Sequence, residues 1–544
     1  MDRLIRRVAL LVSKKGATFT YPLALGAWAV IFLFMSWTLS ISFETNDDVV
    51  MLMISSGVYS GTPDYHLVFI NVIYGLLLKG LYFILPGLEW YTILFCLLHI
   101  VSFSIILWVY SKRITTAFGQ LLLLLLLLVL QARFIVGLQF TTTAAIVACA
   151  GLSLYFERGK MVKFVGLFLF LIGSLIRFEA AMLCFGVYAP VMMFPLSGRI
   201  RSKRQFLNTG LILSAILVLP MLARVIDAQV YKHNPEWRYY VDYNRVRGAL
   251  NDNPNFARLL NDNPTYSIAD INDLQNLAYF IADPAILDLH VITQVKESLD
   301  IKPLSDKFQN VKTWICFYVD TIICILLLIL LLIFERKVTY RWGLLFSGLS
   351  FFMLLSWVSL NATVKERVFL SAITPLMLIM ILMIVNYQKK CWRIVVLSVL
   401  YLLTLHTIVK QTVDMYAVKK EQSRLVIKQL DLIKSSINCD FTPFGNSVTL
   451  EGVNPFSITS NFKSLNARMI GNGWLTEIPL NHRRMDSHLD FVEKPILIFM
   501  YKGSEPQIHN IQYCIKKNYQ IDTVLEVVAE DELSEIIIIK KKTI

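Results

Sequence analysis

Charge is scarce in this sequence. Only 17% of its 544 residues are Asp, Glu, Lys or Arg, against 56% apolar ones. A soluble chain of this size carries closer to about 25%, so a wholly soluble enzyme is excluded. Paired cysteines are lacking too: none of the eight cysteines stands in a CxxC pair, the spacing of small metal or redox motifs. Cys96, Cys149, Cys184, Cys316, Cys324 and Cys391 lie in or beside apolar segments and read as small buried hydrophobes. Cys439 and Cys514 fall in the polar C-terminal region, where they are free to form one disulfide if that region is outside the cell. There is no tandem repeat and no low-complexity linker. What the sequence has in abundance is long apolar runs, such as QLLLLLLLLVLQ (120–131) and TIICILLLILLLIF (321–334). These make it a polytopic membrane protein.

The net charge of +13 raises nucleic acid as a partner, but its distribution argues for topology. The basic residues sit mostly in short tracts between apolar segments, as the positive-inside rule requires. Arg3, Arg6, Arg7, Lys14 and Lys15 hold the N-terminus inside. The apolar segment that follows, Pro22 to Ile41, is long for a cleaved signal and lacks a small-residue cleavage site. It reads as a retained first span. If 66–85 lies along the outer interface instead of spanning, every later loop is consistent. Inside lie Lys112–Arg113, ERGKMVK (157–163), GRIRSKR (198–204), ERKVTYR (335–341) and QKKCWR (388–393). With the N-terminus these hold 20 Lys/Arg against three acids, Asp2, Glu157 and Glu335, which fixes the orientation.

The expected fold is therefore an all-α polytopic membrane protein of about eleven transmembrane helices, with a small extracytoplasmic α/β C-terminal domain. The membrane domain covers 1–414, with a first external loop at 43–87 and an external insert at 225–311. The tail domain covers 415–544. It opens with a helical pattern (414–437) and continues with strand-like PILIFMYK (495–502), DTVLEVVA (522–529) and SEIIIIKKK (534–542), with a helix at 507–518. The expected location is the plasma (inner) membrane, with the N-terminus cytoplasmic.

On this topology several costly residues converge on the outer side. Charged groups near the hydrocarbon usually line a cavity or pair with one another. NDDVVMLMISSG places Asp47 and Asp48 just past span 1. They read as helix caps, or as a general base and the ligands of a divalent metal such as Mg²⁺ or Mn²⁺. TPDYHLVFIN delivers Tyr65 and His66. LIRFEAA places Arg177 and Glu179 at the outer end of a span, where they either pair with each other or, since i,i+2 spacing on a helix points them to different faces, leave Arg177 to another anion such as a phosphate. NATVKER places Lys365 and Arg367 at the mouth of another span. Arg133 is a similar case, and snorkelling to lipid headgroups is the alternative for all three. Trp237, Tyr239, Tyr240 and Tyr243 suit either sugar stacking or the insert's own core. A carboxylate facing arginine forks that suit phosphate is what transfer from a lipid-phosphate donor requires.

These stretches resemble a family. NDDVVMLMISSG is similar to the first-loop acidic motif of the GT-C superfamily of membrane glycosyltransferases, the group of the protein O-mannosyltransferases and aminoarabinose transferases. TPDYHLVFINVIYGLLLKGLYFI resembles their His-Pro-Pro segment and juxtamembrane helix. GSLIRFEAAM resembles their Ile-Arg-Pro-Glu stretch, and KERVFLSAITPLM is a looser match to an Arg-Tyr-x-x-Pro-x-x-Pro stretch. Leu67, Val68 and Phe178 stand where the family has proline. The resemblance implies a polyprenyl-phosphate sugar donor and inverting transfer at the extracytoplasmic face to a cell-envelope glycan or lipid. It implies Asp47 as catalytic carboxylate, Asp48 as its metal or donor-orienting neighbour, and Arg177 and Arg367 on phosphate. Two other classes stay open: a transporter or flippase for a lipid-linked glycan, and a non-catalytic envelope assembly protein.

Overall fold

A computed structural model of the chain describes residues 20–542 except 115, 156, 195–202, 263–265, 300–303, 334–340, 362–363, 386–390, 437–439, 444–447, 464–468, 481–484 and 503–504. The N-terminal basic run, much of the three later basic tracts (198–204, 335–341 and 388–393) and Cys439 lie outside the described residues.

Apolar stretches become helices in the expected order. They are α1 Tyr21–Leu39, α2 Asn46–Ser56, α3 Val72–Ile84, α4 Trp90–Ser111, α5 Ala117–Val136, α6 Phe140–Leu154, α7 Lys160–Ile176, α8 Phe178–Met193 and α9 Lys203–His233. The insert supplies α10 Pro235–Asn251, α11 Pro254–Asp262, α12 Ile271–Tyr279 and α13 Leu289–Leu299. Then follow α14 Leu304–Phe317, α15 Val319–Ile333, α16 Arg341–Asn361, α17 Glu366–Val385 and α18 Cys391–Ser436. Six of the described helices are long and apolar enough to cross a membrane: Tyr21–Leu39, Trp90–Ser111, Ala117–Val136, Phe206–His233, Trp342–Leu360 and Val395–Ser435. The protein is a multi-pass membrane protein.

The spans pack through narrow seams. α1 buries Ala24, Trp28 and Phe32, one row at i,i+4, and leaves Leu33, Phe34 and Trp37 outward. Trp28 stacks on Phe103 at 5.3 Å and donates its indole N–H to Gln131 at 3.2 Å. α6 and α7 cross where Gly151 meets Gly166; a Cβ on Gly151 would lie 2.5 Å from the Gly166 carbonyl oxygen. Only small residues let two membrane helices approach so closely.

The segment 66–85 holds a helix of 13 residues, α3. At about 1.5 Å per residue that is about 20 Å, short of a hydrocarbon core of about 30 Å. It buries Tyr74, Gly75, Leu78 and Tyr82 against the protein and leaves Ile73, Leu76, Leu77, Phe83 and Ile84 exposed.

In the C-terminal domain α18 runs 46 residues without a break, so the last span and the helix expected at 414–437 are one rod. The sheet comprises β1 Phe441–Pro443, β2 Leu497–Tyr501, β3 Thr523–Glu530 and β4 Ser534–Lys541. Its order is β1-β2-β4-β3, with β1 parallel to β2 and the other pairs antiparallel. The run of four isoleucines at 536–539 has a physical reason. Ile537 and Ile539 face a core with Ile508, Ile511 and Ile515 of the helix Glu505–Tyr519, while Ile536 joins a cluster with the first loop. Both faces are covered, so alternation is lost. Phe280 of the insert stacks on Phe491 at 5.8 Å, so insert and tail share a core. Cys514 is buried and accepts the Asn276 amide at 3.5 Å.

Candidate functional site

Past α1 the chain runs alongside the α5–α6 turn. Leu138 N–H donates to Ser42 at 2.8 Å and Glu44 N–H donates to Leu138 at 3.0 Å. That pairing sets the start of α2, with Asp47 and Asp48 in its first turn, where carboxylates suit the helix dipole. α2 ends at Gly57, at φ +80°, where a Cβ would meet Pro63 at 2.6 Å.

The two aspartates have different surroundings. Asp48 is fully buried. Its Oδ1 accepts the Tyr91 hydroxyl at 2.8 Å and the Phe140 N–H at 3.0 Å, and Oδ2 accepts the Thr45 hydroxyl at 3.4 Å. It thus fastens α2 to α4 and caps the N-terminus of α6, a neighbouring helix. Burial pushes its carboxyl well above the usual range, the Tyr91 bond opposes, and the Asp47 charge adds to the rise. Arg367 stands near enough for its charge to act on Asp48. Asp47 is half-buried and faces the C-terminal domain, where its Oδ1 accepts the Trp474 indole N–H at 3.1 Å.

An aromatic wall leads from the aspartates to Arg177. Trp474 meets Phe69 edge-on at 5.0 Å, and Phe69 stacks on Phe140 at 6.1 Å. The Arg177 guanidinium lies 5.9 Å from the Phe69 ring and 5.5 Å from the Phe140 ring. Arg177 and Glu179 are joined at 3.1 Å, so of the two readings of this stretch the mutual pair is the one found. The reason is that Arg177 is not helical. It sits at φ −154° and ψ 104° between α7 and α8, so helical i,i+2 geometry does not apply.

Arg177 opens onto a cavity of about 780 Å³ beneath α9 and α10, lined also by Arg224, Lys232, Arg238 and Arg245. Of the acids there, Glu179 binds Arg177 and Arg224, and Asp242 binds Arg245 at 2.8 Å. Asp227 accepts the Val72 N–H at 2.8 Å. Lys232 and Arg238 have no carboxylate partner among the described residues. These cations give the cavity a basic wall, and of its charged residues sequence reading named Arg177 and Glu179. Arg224 carried a usable signal, a cation at the end of the apolar run LVLPMLARVI.

His66 and Tyr65 belong to an adjoining place. His66 Nδ1 lies 2.8 Å from Asp64, and its ring stacks on Trp237 at 4.3 Å and meets Tyr65 tilted at 4.0 Å. Burial pushes the Asp64 carboxyl up, but the hydrogen bonds from His66 outweigh it and hold the group below its ordinary value. Both residues line a second cavity of about 830 Å³ that meets the first at Lys232. Among the described residues no hydrogen bond or ring contact joins His66 to Asp47 or Asp48. Tyr240 and Tyr243 are core residues, fully buried or nearly so.

Arg133 is buried completely and paired twice, with Glu366 at 2.9 Å and Glu44 at 3.3 Å. Its side chain is fully buried, so it does not snorkel. Lys419 of α18 donates to the Glu44 carbonyl at 3.0 Å. Lys365 is exposed, and its carbonyl accepts the Phe369 N–H at the start of α17.

A divalent metal finds a poor donor set here. Asp48 already accepts three hydrogen bonds, and among the described residues no group of three His, Cys, Asp or Glu is gathered. Hard cations of this kind take six or more oxygens.

No family model matches the chain, and no curated protein matches it. Among solved structures the chain is similar to ArnT from Cupriavidus metallidurans in the apo state, at 10% identity and a TM-score of 0.39, over 94% of this chain and 98% of that one.

Proposed function

We propose that the protein is a GT-C-type membrane glycosyltransferase. It transfers a sugar from a polyprenyl-phosphate-linked donor to a cell-envelope glycan or lipid acceptor at the extracytoplasmic face. The observation that carries this reading is the wall Asp47–Trp474–Phe69–Arg177, which sets an accessible carboxylate at one end and a cationic cavity at the other. Asp47 takes the proton of an acceptor hydroxyl. The hydroxyl oxygen attacks the anomeric carbon, and the bond from that carbon to the carrier phosphate breaks. The electron pair leaves with the phosphate, and the cations of the cavity hold its charge. Attack opposite the departing phosphate inverts the anomeric centre. Arg367 acts from the Asp48 side, and Asp48 holds the helix that presents Asp47.

The test supplies purified protein with a labelled polyprenyl-phosphate sugar and extracted envelope glycan. Transfer by wild type and its loss in Asp47→Asn are expected. Undiminished transfer by Asp47→Asn overturns the base assignment, and transfer without donor lipid overturns the donor class. A cysteine placed at Gly87 should resist a membrane-impermeant thiol reagent applied from the cytoplasmic side; labelling from there overturns the sidedness.

A further inference from the structure

The first loop, the insert and the C-terminal domain meet at one residue. Trp474 sits on a single 3₁₀ turn, Gly473–Leu475. Gly473, at φ +58°, donates its N–H to the Phe280 carbonyl at 3.3 Å. The Trp474 carbonyl accepts the Tyr240 hydroxyl at 2.9 Å, and Leu475 is buried beside it. The backbone is thus held by the insert, while the ring is held edge-on against Phe69 at 5.0 Å. With both fixed, the indole N–H points at Asp47 Oδ1, 3.1 Å away. The domain is fastened independently nearby. Glu89 accepts the Thr459 N–H at 2.6 Å and its hydroxyl at 2.7 Å, and Thr92 donates to the Pro455 carbonyl at 2.8 Å. The Asp47 contact is therefore not needed to dock the domain.

We infer that Trp474 is a positioning residue for Asp47, so that the C-terminal domain completes the proposed transfer site. This rests on the reading of Asp47 as the base. An indole N–H on Oδ1 fixes the carboxylate's rotation and leaves Oδ2 to accept the proton. A donor on a carboxylate oxygen stabilises negative charge there. Other groups act on the same carboxylate: Asp48 beside it, Tyr91 of α4, and Tyr240 and Arg247 of α10. Arg367 and Lys419 reach it through Asp48. None of them is altered by changing Trp474.

Trp474→Phe keeps an aromatic ring and removes the donor. The expected result is a fall in kcat of about tenfold with KM for the donor lipid changed less, and an acid limb of the pH–rate profile moved to higher pH. Trp474→His, which carries a ring N–H, restores part of the rate, whereas Trp474→Ala does not. A Phe variant with unchanged kcat and acid limb overturns the inference, as does a His variant no better than Ala. A second measurement needs no transfer activity. The protein has 10 tryptophans. With 5-fluorotryptophan incorporated, the Trp474 fluorine resonance is assigned by its absence from Trp474→Phe. It should move with pH in wild type and stand still in Asp47→Asn. A resonance equally pH-dependent, or equally fixed, in both overturns the contact. A moving resonance in a protein without transfer activity instead keeps the contact and sinks the transferase reading.

Discussion

Two charged clusters lie at the same end of the helix bundle and differ in completeness. Around Arg133 each charged side chain has an opposite charge within reach: Glu44 and Glu366 flank the buried guanidinium, of which Nη1 alone has no hydrogen-bond partner among the described residues, and Lys419 ties Glu44 to α18. Around Arg177 the cations outnumber the acids and face a cavity, and the nearby Asp47 keeps one carboxylate oxygen without a hydrogen-bond partner among the described residues. Both cost desolvation. The first recovers that cost internally and acts as a clasp, whereas the second leaves it to a ligand. Position at one end of the bundle therefore does not distinguish site from scaffold; unfinished charge pairing does.

The sharpest test of the open cluster is Asp47→Asn. Loss of a general base costs about 10²- to 10⁴-fold in rate, here with the unfolding midpoint unchanged, read by transfer assay and thermal melt on one preparation. The closed cluster should give the opposite signature. Arg133→Met leaves Glu44 and Glu366 facing each other near a dry interior, at a cost of about 3–5 kcal/mol in stability. Adding Glu366→Gln should return part of it, measured as the shift of the midpoint in detergent.

Asp48 belongs with the clasp although it adjoins Asp47. Asn at 48 keeps the oxygen that accepts Tyr91 and Phe140, so Asp48→Asn should fold. Folded Asp48 holds its proton to higher pH than the unfolded chain does. Its stabilising contribution is thus full below the unfolded value of about 3.9 and is lost as pH rises toward the folded one, at about 1.4 kcal/mol for each pH unit between the two. Melting curves from pH 4 to 8 should show wild type losing ground to Asp48→Asn as pH rises. The reverse slope would mean that Asp48 is ionised in the folded protein. In the open cluster, Arg238→Ala should raise KM for the donor lipid about fivefold and leave kcat alone, since one cation among several binds ground and transition states alike.

Which parts of this were readable beforehand follows from contact range. The order of the apolar helices and the three longer strands come from local hydropathy, and the strands stand where 495–502, 522–529 and 534–542 announced them. β1 is three residues long and carries no periodicity. The Arg177–Glu179 pair was left open because the helix break at Arg177 that allows it carries no sequence signal of its own. Trp474 was invisible: its partner Asp47 is 427 positions away, and GNGW has no pattern that a lone loop tryptophan could stand out against. The resemblance of the first-loop and Arg177 stretches supplied candidate residues; the structure divided them between a clasp, an open wall and the His66 pocket.

The smallest expected effect lies at the other end of the bundle. Glu157 pairs with Arg113 at 2.5 Å and Lys112 at 3.4 Å, and the two cations hold its carboxyl below the ordinary range although its partial burial pushes the other way. By geometry it resembles the Arg133 clasp. By exposure it does not, since the Lys112 side chain is 36% exposed and Arg113 24%, against 0% for Arg133. Water and headgroups can take over its partners, so Glu157→Gln should cost less than about 1 kcal/mol and leave transfer unchanged. A cost approaching that of Arg133→Met would mean that pairing alone sets the stability of these clusters, and burial would lose its place in separating clasp from site.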